Sequence, residues 1–315
     1  MSTARVFILT LLAMIAFASN SLLCRAALKE SSLDPATFTL VRIFSGAVAL
    51  WLIMKVRRRM IADTTASPSA DGLFSSELIM RRSPLRYGNW ISAVALFAYA
   101  AGFSFAYISL SAGTGALLLF GAVQATMILW GLHEGERLNT IQIIGFIVAI
   151  TGLVMLLFPG LSAPPLAGSI LMLGAGIAWG VYSLRGRGER NPASVTTGNF
   201  VRAVPFAAAL GILFAPRTHV HLAGIAYAVI SGAVTSGFGY VIWYSALPRL
   251  KAASAATVQL SVPVLASTGG ILLLGEPITL RYMLASVAVL GGIALVVATP
   301  HYQDQTPSHA GQSRA

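Results

Sequence analysis

The sequence predicts an all-α membrane protein with ten transmembrane helices arranged as two inverted five-helix repeats. Three observations predict it. First, the 315 residues are 56% apolar and only 10% charged, with mean hydropathy +0.78. Soluble domains carry about 25% charged residues, so this mix cannot build a water-facing surface. Second, ten apolar runs follow one another, each of roughly 18–22 residues and long enough to cross a ~30 Å hydrocarbon core as a helix. Third, one stretch is written twice. Gly135-Glu136-Arg137-Leu138-Asn139 leads through Gly145 to Thr151-Gly152, and Gly275-Glu276-Pro277-Ile278-Thr279 leads to Gly291-Gly292. Self-similarity of this kind decides the architecture before any local reading.

The runs lie at 6–24, 36–56, 89–110, 112–131, 140–158, 166–184, 196–215, 222–246, 252–274 and 279–299. They lack the period-2 alternation of a closed barrel, the other structure that can span lipid. The net charge of +11 does not point to nucleic acid, because the basic residues lie between the spans and report orientation instead. With residue 1 in the cytoplasm, that side collects Arg5, Lys55, Arg57, Arg58, Arg59, Arg81, Arg82, Arg86, Arg137, Arg185, Arg187, Arg190, Arg249, Lys251 and Arg314. The far side collects Arg25, Lys29, Arg217 and Arg281. Both termini are therefore expected inside, after ten crossings.

In chain order, residues 1–24 are read as a retained first helix rather than a signal peptide. The apolar run is long, and Arg25 has a counterpart at Arg185 in the second half. The second span follows Asp34-Pro35, a helix-start signal. It carries Arg42, the counterpart of Arg202, and ends in the basic anchor Lys55-Val56-Arg57-Arg58-Arg59. Residues 58–88 are an insertion, small and polar over 62–72, and are expected to form a cytoplasmic loop. On the third span Tyr99, Phe103 and Tyr107 recur every four residues and share a face. Gln124 is the polar residue of the fourth. The fifth span ends at Phe158-Pro159-Gly160. The sixth is glycine-rich and holds Trp179 and Tyr182; the seventh holds Asn199 and Arg202. On the eighth, Tyr240, Trp243 and Tyr244 share a face, and Gln259 and Pro263 lie on the ninth. The domains expected are 1–158, a first five-helix repeat with the 58–88 loop, 159–299, a second repeat, and 300–315, a disordered cytoplasmic tail. Five spans per repeat is an odd number, so the second copy enters from the opposite side. Glu136 then faces the cytoplasm and Glu276 the exterior, an arrangement that puts a substrate site near the midplane between the halves.

This pattern resembles the EamA-type transporters of the drug/metabolite transporter superfamily. The residues that carry the resemblance are Arg42 and Arg202 in the second helix of each repeat, Gly135-Glu136 and Gly275-Glu276 after the fourth, and Thr151-Gly152 and Gly291-Gly292 in the last. It covers residues 5–299 apart from the insertion. The resemblance implies movement of small metabolites, often amino-acid export, across a bacterial inner membrane, with the amino-acid exporter branch as a candidate.

Arg42 and Arg202 are the first site candidates. An arginine inside a membrane costs at least ~2.5 kcal/mol at a helix centre, so it faces a water-filled cavity or a partner. Either it holds a substrate carboxylate, or it caps carbonyls and snorkels. Tyr99, Tyr107, Trp179, Tyr240 and Trp243 offer ring faces to a substrate, or simply pack. Gln124, Asn199 and Gln259 either bond substrate or join helices. Glu136 and Glu276 sit at helix ends, before Asn139 and Thr279, which can cap the next helix; their other role is a gate contact that breaks as access alternates.

Several classes drop out. Cys24 is the single cysteine, so neither a disulfide nor a cysteine-built metal site is expected. No metal or other cofactor is expected. There is no Gly-x-x-x-x-Gly-Lys, hence no built-in ATPase. No Asp or Glu lies within a span and all five histidines lie in loops or tail, which leaves no carboxylate proton relay and favours facilitated transport. The same absence weighs against an intramembrane enzyme, since His133-Glu134 lacks a second His. A flippase for lipid-linked or drug-like substrates is the other reading. The expected partners are a small metabolite and the lipid bilayer, with the chain a monomer or weak dimer.

Overall fold

The computed structural model describes residues 3–31, 33–65, 87–160, 163–187, 189, 191–214, 221–246, 249–250 and 258–298. Among them there is no strand. Ten helices follow in order: α1 Thr3–Lys29, α2 Pro35–Thr65, α3 Trp90–Ala106, α4 Ala112–His133, α5 Thr140–Leu157, α6 Leu166–Arg185, α7 Pro192–Phe214, α8 Leu222–Ala246, α9 Ser261–Leu274 and α10 Leu280–Ala298. Eight are at least 18 residues long and apolar enough to cross a membrane; α3 and α9, of 17 and 14 residues, are shorter. The chain is a multi-pass membrane protein. The expected tail falls outside the described residues, as does the insertion over 66–86. The start of that insertion differs from expectation: α2 continues past its basic anchor to Thr65, because nothing before Ser67-Pro68 breaks a helix.

The helix ends follow from their sequences. Asn89 accepts from the Ser92 N–H at 2.8 Å and starts α3. Asn139 and Gln142 form a reciprocal capping box at α5, and Thr279 accepts from the Tyr282 N–H at the start of α10. Both copies of the Gly-Glu motif end a helix with a left-handed glycine, Gly135 at φ 95° and Gly275 at φ 60°, a conformation that side chains disfavour. The following Glu136 and Glu276 N–H groups then reach back to the Gly131 and Gly270 carbonyls.

The principal packed pairs map onto themselves when α1–α5 are exchanged for α6–α10. α2 packs on α7, α4 on α9 and α5 on α10; α1 packs on α8 and α9 as α6 packs on α3 and α4. Apolar side chains both pack the interior, as Phe38, Phe103 and Leu117 do, and cover the outside. Large apolar side chains such as Ile212, Leu213, Leu272 and Val287 are exposed on the outside, whereas Asn20, Arg42, Gln124, Asn199 and Ser231 are buried. Lipid replaces water as the outer solvent, so buried polar groups must find partners inside. Serines and threonines do so by bonding the carbonyl one turn back. Thr39 and Ser104 bond Pro35 and Ala100 in this way and meet each other at 2.8 Å between α2 and α3.

The tightest seam joins α5 and α10. A Cβ on Gly145 would sit 2.6 Å from the Gly292 carbonyl oxygen, and one on Gly152 would sit 2.8 Å from Ala288. Small residues let these backbones touch, which is how helices associate where lipid is as apolar as leucine. Of the Gly291-Gly292 pair only Gly292 lies in the seam; Gly291 faces open space. We expect Gly145→Leu and Gly292→Leu each to destabilise the protein by about 1–3 kcal/mol through overpacking. Gly291→Leu should stay within about 0.5 kcal/mol of the parent. Thermal unfolding in detergent checks the three variants.

Candidate functional site

Arg42 lies eight residues into α2 and is 2% exposed. Its Nη2 donates to the Tyr99 hydroxyl at 3.0 Å, and the guanidinium lies over the Tyr99 and Phe103 rings, 5.3 and 4.8 Å from their centroids. Nη1 is buried and has no hydrogen-bond partner among the described residues. A buried donor without a partner costs about 1–3 kcal/mol, more when charged. Ring faces offset part of that, but a ring is no substitute for an acceptor.

Around Arg42 the rings form a continuous ladder. Tyr107 meets Phe103 edge-on at 4.7 Å, Phe103 meets Tyr99 at 5.6 Å, and Tyr99 meets Trp179 at 4.8 Å. Trp179 stacks on both Tyr182 and Tyr240, and Tyr240 on Tyr244. Phe17 bridges Tyr240 and Trp243, and Phe200 packs edge-on against Tyr240. These rings come from α1, α3, α6, α7 and α8, so both halves build one cluster. Tyr99, Trp179, Tyr240 and Trp243 from the sequence reading are thereby brought together around Arg42, with Tyr107 at one end.

Beside the ladder α8 widens into a π-helix over Ile230–Phe238. Here the Asn20 amide oxygen accepts from Ser231 at 2.8 Å, Thr235 at 2.6 Å and Ser236 at 3.4 Å. Thr235 also reaches the Ser231 carbonyl at 2.9 Å, a group that the wider turn displaces from regular bonding. Gly232 permits the close crossing, since a Cβ there would overlap the Arg42 carbonyl and the Ser45 hydroxyl of α2. Sequence reasoning missed Asn20, Phe17 and Phe200. A lone amide in the apolar first span was the available signal for Asn20; for two phenylalanines among fifteen there was none.

At the Tyr107 end lies a charged knot. Glu276 is 7% exposed. Its Oε1 meets the Arg25 Nε at 3.1 Å, and its Oε2 accepts from the Ala112 N–H at 2.8 Å, at the start of α4. Arg25 also donates to the Tyr107 and Ile108 carbonyls. The carboxylate fits because Gly270 has no side chain: a Cβ there would sit 2.5 Å from Oε2. The opposite end is arranged differently. Arg185, the counterpart of Arg25, bonds Ser92 at 3.1 Å and Asn89 at 3.2 Å, and both Arg185 and Glu136 are exposed.

The remaining candidates lie elsewhere. Arg202 donates to the Tyr87 carbonyl at 2.6 Å and the Gly198 carbonyl at 3.0 Å. Asn199 accepts from the Asn89 N–H at 2.9 Å. Both fasten the start of α3 to α7. No hydrogen bond or ring contact ties Gln124 or Gln259 to the Arg42 cluster among the described residues; Gln124 is buried in α4 and Gln259 is half-buried ahead of α9. Among the described residues no group of three His, Cys, Asp or Glu side chains could hold a metal. A narrow apolar crevice between α4, α5 and α10, lined by Gly121, Phe146, Leu153 and Val289 among others, has no polar side chain to orient a solute.

Comparison with known proteins bears on this arrangement. Residues 166–298 match the EamA-like transporter family. The chain is 52% identical over 298 residues to an uncharacterized protein of Pseudomonas aeruginosa, covering 95% of this chain and 96% of that one. It is 33% identical over 159 residues to the threonine/homoserine exporter RhtA of Salmonella typhimurium, covering 48% and 52%. A solved crystal structure superposes with a TM-score of 0.62 at 17% identity over 94% of this chain and 98% of that one, a likeness of fold alone.

Removing one partner of the buried Arg25–Glu276 pair strands the other charge, so Glu276→Ala should cost on the order of 3 kcal/mol. The Arg25→Ala/Glu276→Ala double variant should cost clearly less than the sum of the two single variants. Additive losses in detergent melts would show that the two residues act independently.

Proposed function

The chain belongs to the EamA-like transporter family, and from that premise we propose that it exports small carboxylate-bearing metabolites, amino acids among them, across a bacterial inner membrane. It does so by alternating access of two five-helix repeats around the Arg42 cluster. One observation carries the reading: a buried guanidinium with an unmatched nitrogen, enclosed by rings from both halves. A packing role leaves such a nitrogen without purpose, whereas a substrate carboxylate completes it with a charge-assisted bond. Arg202, bonded to two carbonyls, is a positioning residue in this scheme.

The two ends of the ladder act as gates. In the orientation favoured by the basic residues, Glu276 lies at the exterior and Glu136 at the cytoplasm. The Arg25–Glu276–Ala112 knot and the Tyr107 ring then form the closed outer gate. The rings from Arg42 towards Tyr182 and Tyr244 descend to the cytoplasmic end, the route by which a solute arrives. Opening outward requires the knot to break, and a bound solute needs only to shift the balance between the two states by its differential affinity. The similarity to RhtA, a threonine/homoserine exporter, supports export of small metabolites. No Asp or Glu lies in a span, so movement is facilitated rather than driven through a carboxylate proton relay.

Two experiments test this. In a Cys24→Ala background, Arg137→Cys and Ile278→Cys should label from opposite faces of the membrane; labelling from one face removes the inverted arrangement. In proteoliposomes the purified protein should support counterflow of carboxylate-bearing metabolites, and Arg42→Ala should abolish it while the protein still inserts and melts cooperatively. Lipid translocation without any solute counterflow would replace the carrier with a flippase.

A further inference from the structure

The charge balance of the membrane interior points to one substrate class. Among the described residues, the charged side chains that are buried are Arg42 and Glu276. Arg202 is held by the Tyr87 and Gly198 carbonyls. Glu276, the buried carboxylate, is paired with Arg25. Arg42 is therefore left as a buried positive charge whose polar contact is a neutral phenol, with Nη1 open. From this we propose that the site is built for a net-negative monocarboxylate with a flat apolar body, in preference to a zwitterionic amino acid, and that export moves one negative charge outward per solute. The inference rests on the carrier reading above and sharpens it.

The carboxylate meets Nη1 and neutralises the buried charge. The Tyr99 and Phe103 faces are taken by the guanidinium and the Trp179 and Tyr240 faces by each other, so the body enters by parting the Trp179–Tyr240 stack. A zwitterion brings an ammonium as well. Near Arg42 it meets no carboxylate, and the Asn20 amide oxygen already accepts three hydroxyls. An unpaired ammonium close to a guanidinium is a penalty against that ligand, and a site discriminates by such penalties as much as by attraction. Because the protein supplies the fixed positive charge and the solute the mobile negative one, an inside-negative potential drives the solute out. The potential would support a gradient of about 50-fold per 100 mV for a single charge.

Phenylpyruvate and phenylalanine test this as a pair, alike in ring and carboxylate and differing at Cα, a neutral ketone in one and an ammonium-bearing carbon in the other. Binding to the full chain is measured in detergent with radiolabelled solute, and flux in proteoliposomes with the potential clamped by potassium and valinomycin. Phenylpyruvate should bind about tenfold or more tighter than phenylalanine. Its efflux should rise with inside-negative potential and carry one charge per solute. Arg42→Gln should weaken phenylpyruvate binding on the order of 100-fold, with Arg42→Lys recovering part of it. If phenylalanine binds as well as phenylpyruvate, or is exported without charge movement, the anion inference is overturned while the carrier stands. If phenylpyruvate binds in an Arg42-dependent way but neither solute crosses, the carrier reading is overturned while the anion site stands. If neither solute binds and Arg42→Gln behaves as the parent, the inference is overturned outright.

Discussion

A bilayer core offers no water, so each polar group placed there must be matched by another group of the same molecule. Nearly every feature of this structure follows from that constraint. Thr39 and Ser104 spend their hydroxyls on carbonyls one turn back and on each other. Asn20 gathers three hydroxyls from the widened part of α8. Arg202 takes two carbonyls and Glu276 takes Arg25 and a helix-start N–H. Against that background five buried polar atoms among the described residues stay unmatched, on Thr10, Asp34, Arg42, Ser194 and Ser286, and of these the Arg42 nitrogen is the one on a cation.

The duplicated Gly-Glu motif illustrates how one local solution serves two global roles. In both copies a left-handed glycine ends the helix and the next N–H reaches back to it. In both, a glycine one turn or more earlier makes room for the carboxylate, Gly131 for Glu136 and Gly270 for Glu276. Yet Glu276 is buried in an ion pair and Glu136 is exposed. Two copies of one motif need not look alike in a single conformation. If access alternates, the molecule must be closed at one end and not the other, and the asymmetry is that condition written in side chains.

Rigidity and adaptability are also divided between the seams. α5 and α10 touch backbone to backbone at Gly145, Gly152 and Gly292, and the Gln142 amide donates to the Val296 carbonyl across the seam. That pair lies away from the ladder. α8, in contrast, departs from regular α-helical bonding beside Arg42 and relies on Asn20 of α1 to hold its hydroxyls. Such wide turns recur at functional sites because they can change bonding at low cost. The near contact of Gly232 with the Arg42 carbonyl couples this segment directly to the charged residue.

What the sequence by itself determined was everything that depends on composition, period and repetition. Each of the ten apolar runs contains a helix, and eight of those helices are long and apolar enough to cross a membrane. The caps at Asn139 and Thr279, and the glycines at 135 and 275, are local bonding problems with local answers. The importance of Arg42 was legible because a charge inside an apolar run demands an explanation. The ladder that links Tyr99, Trp179 and Tyr240 was legible only as separate aromatic faces. What the tertiary structure alone decided was which matching residues share a fate. Arg42 and Arg202 occupy equivalent positions, but only one is left with an open donor, because its surroundings are rings where the other has carbonyls. Arg25 found Glu276, more than two hundred residues away, while Arg185 turned to Asn89 and Ser92. Partner choice across helices depends on where backbones cross, and no periodicity along the chain records that.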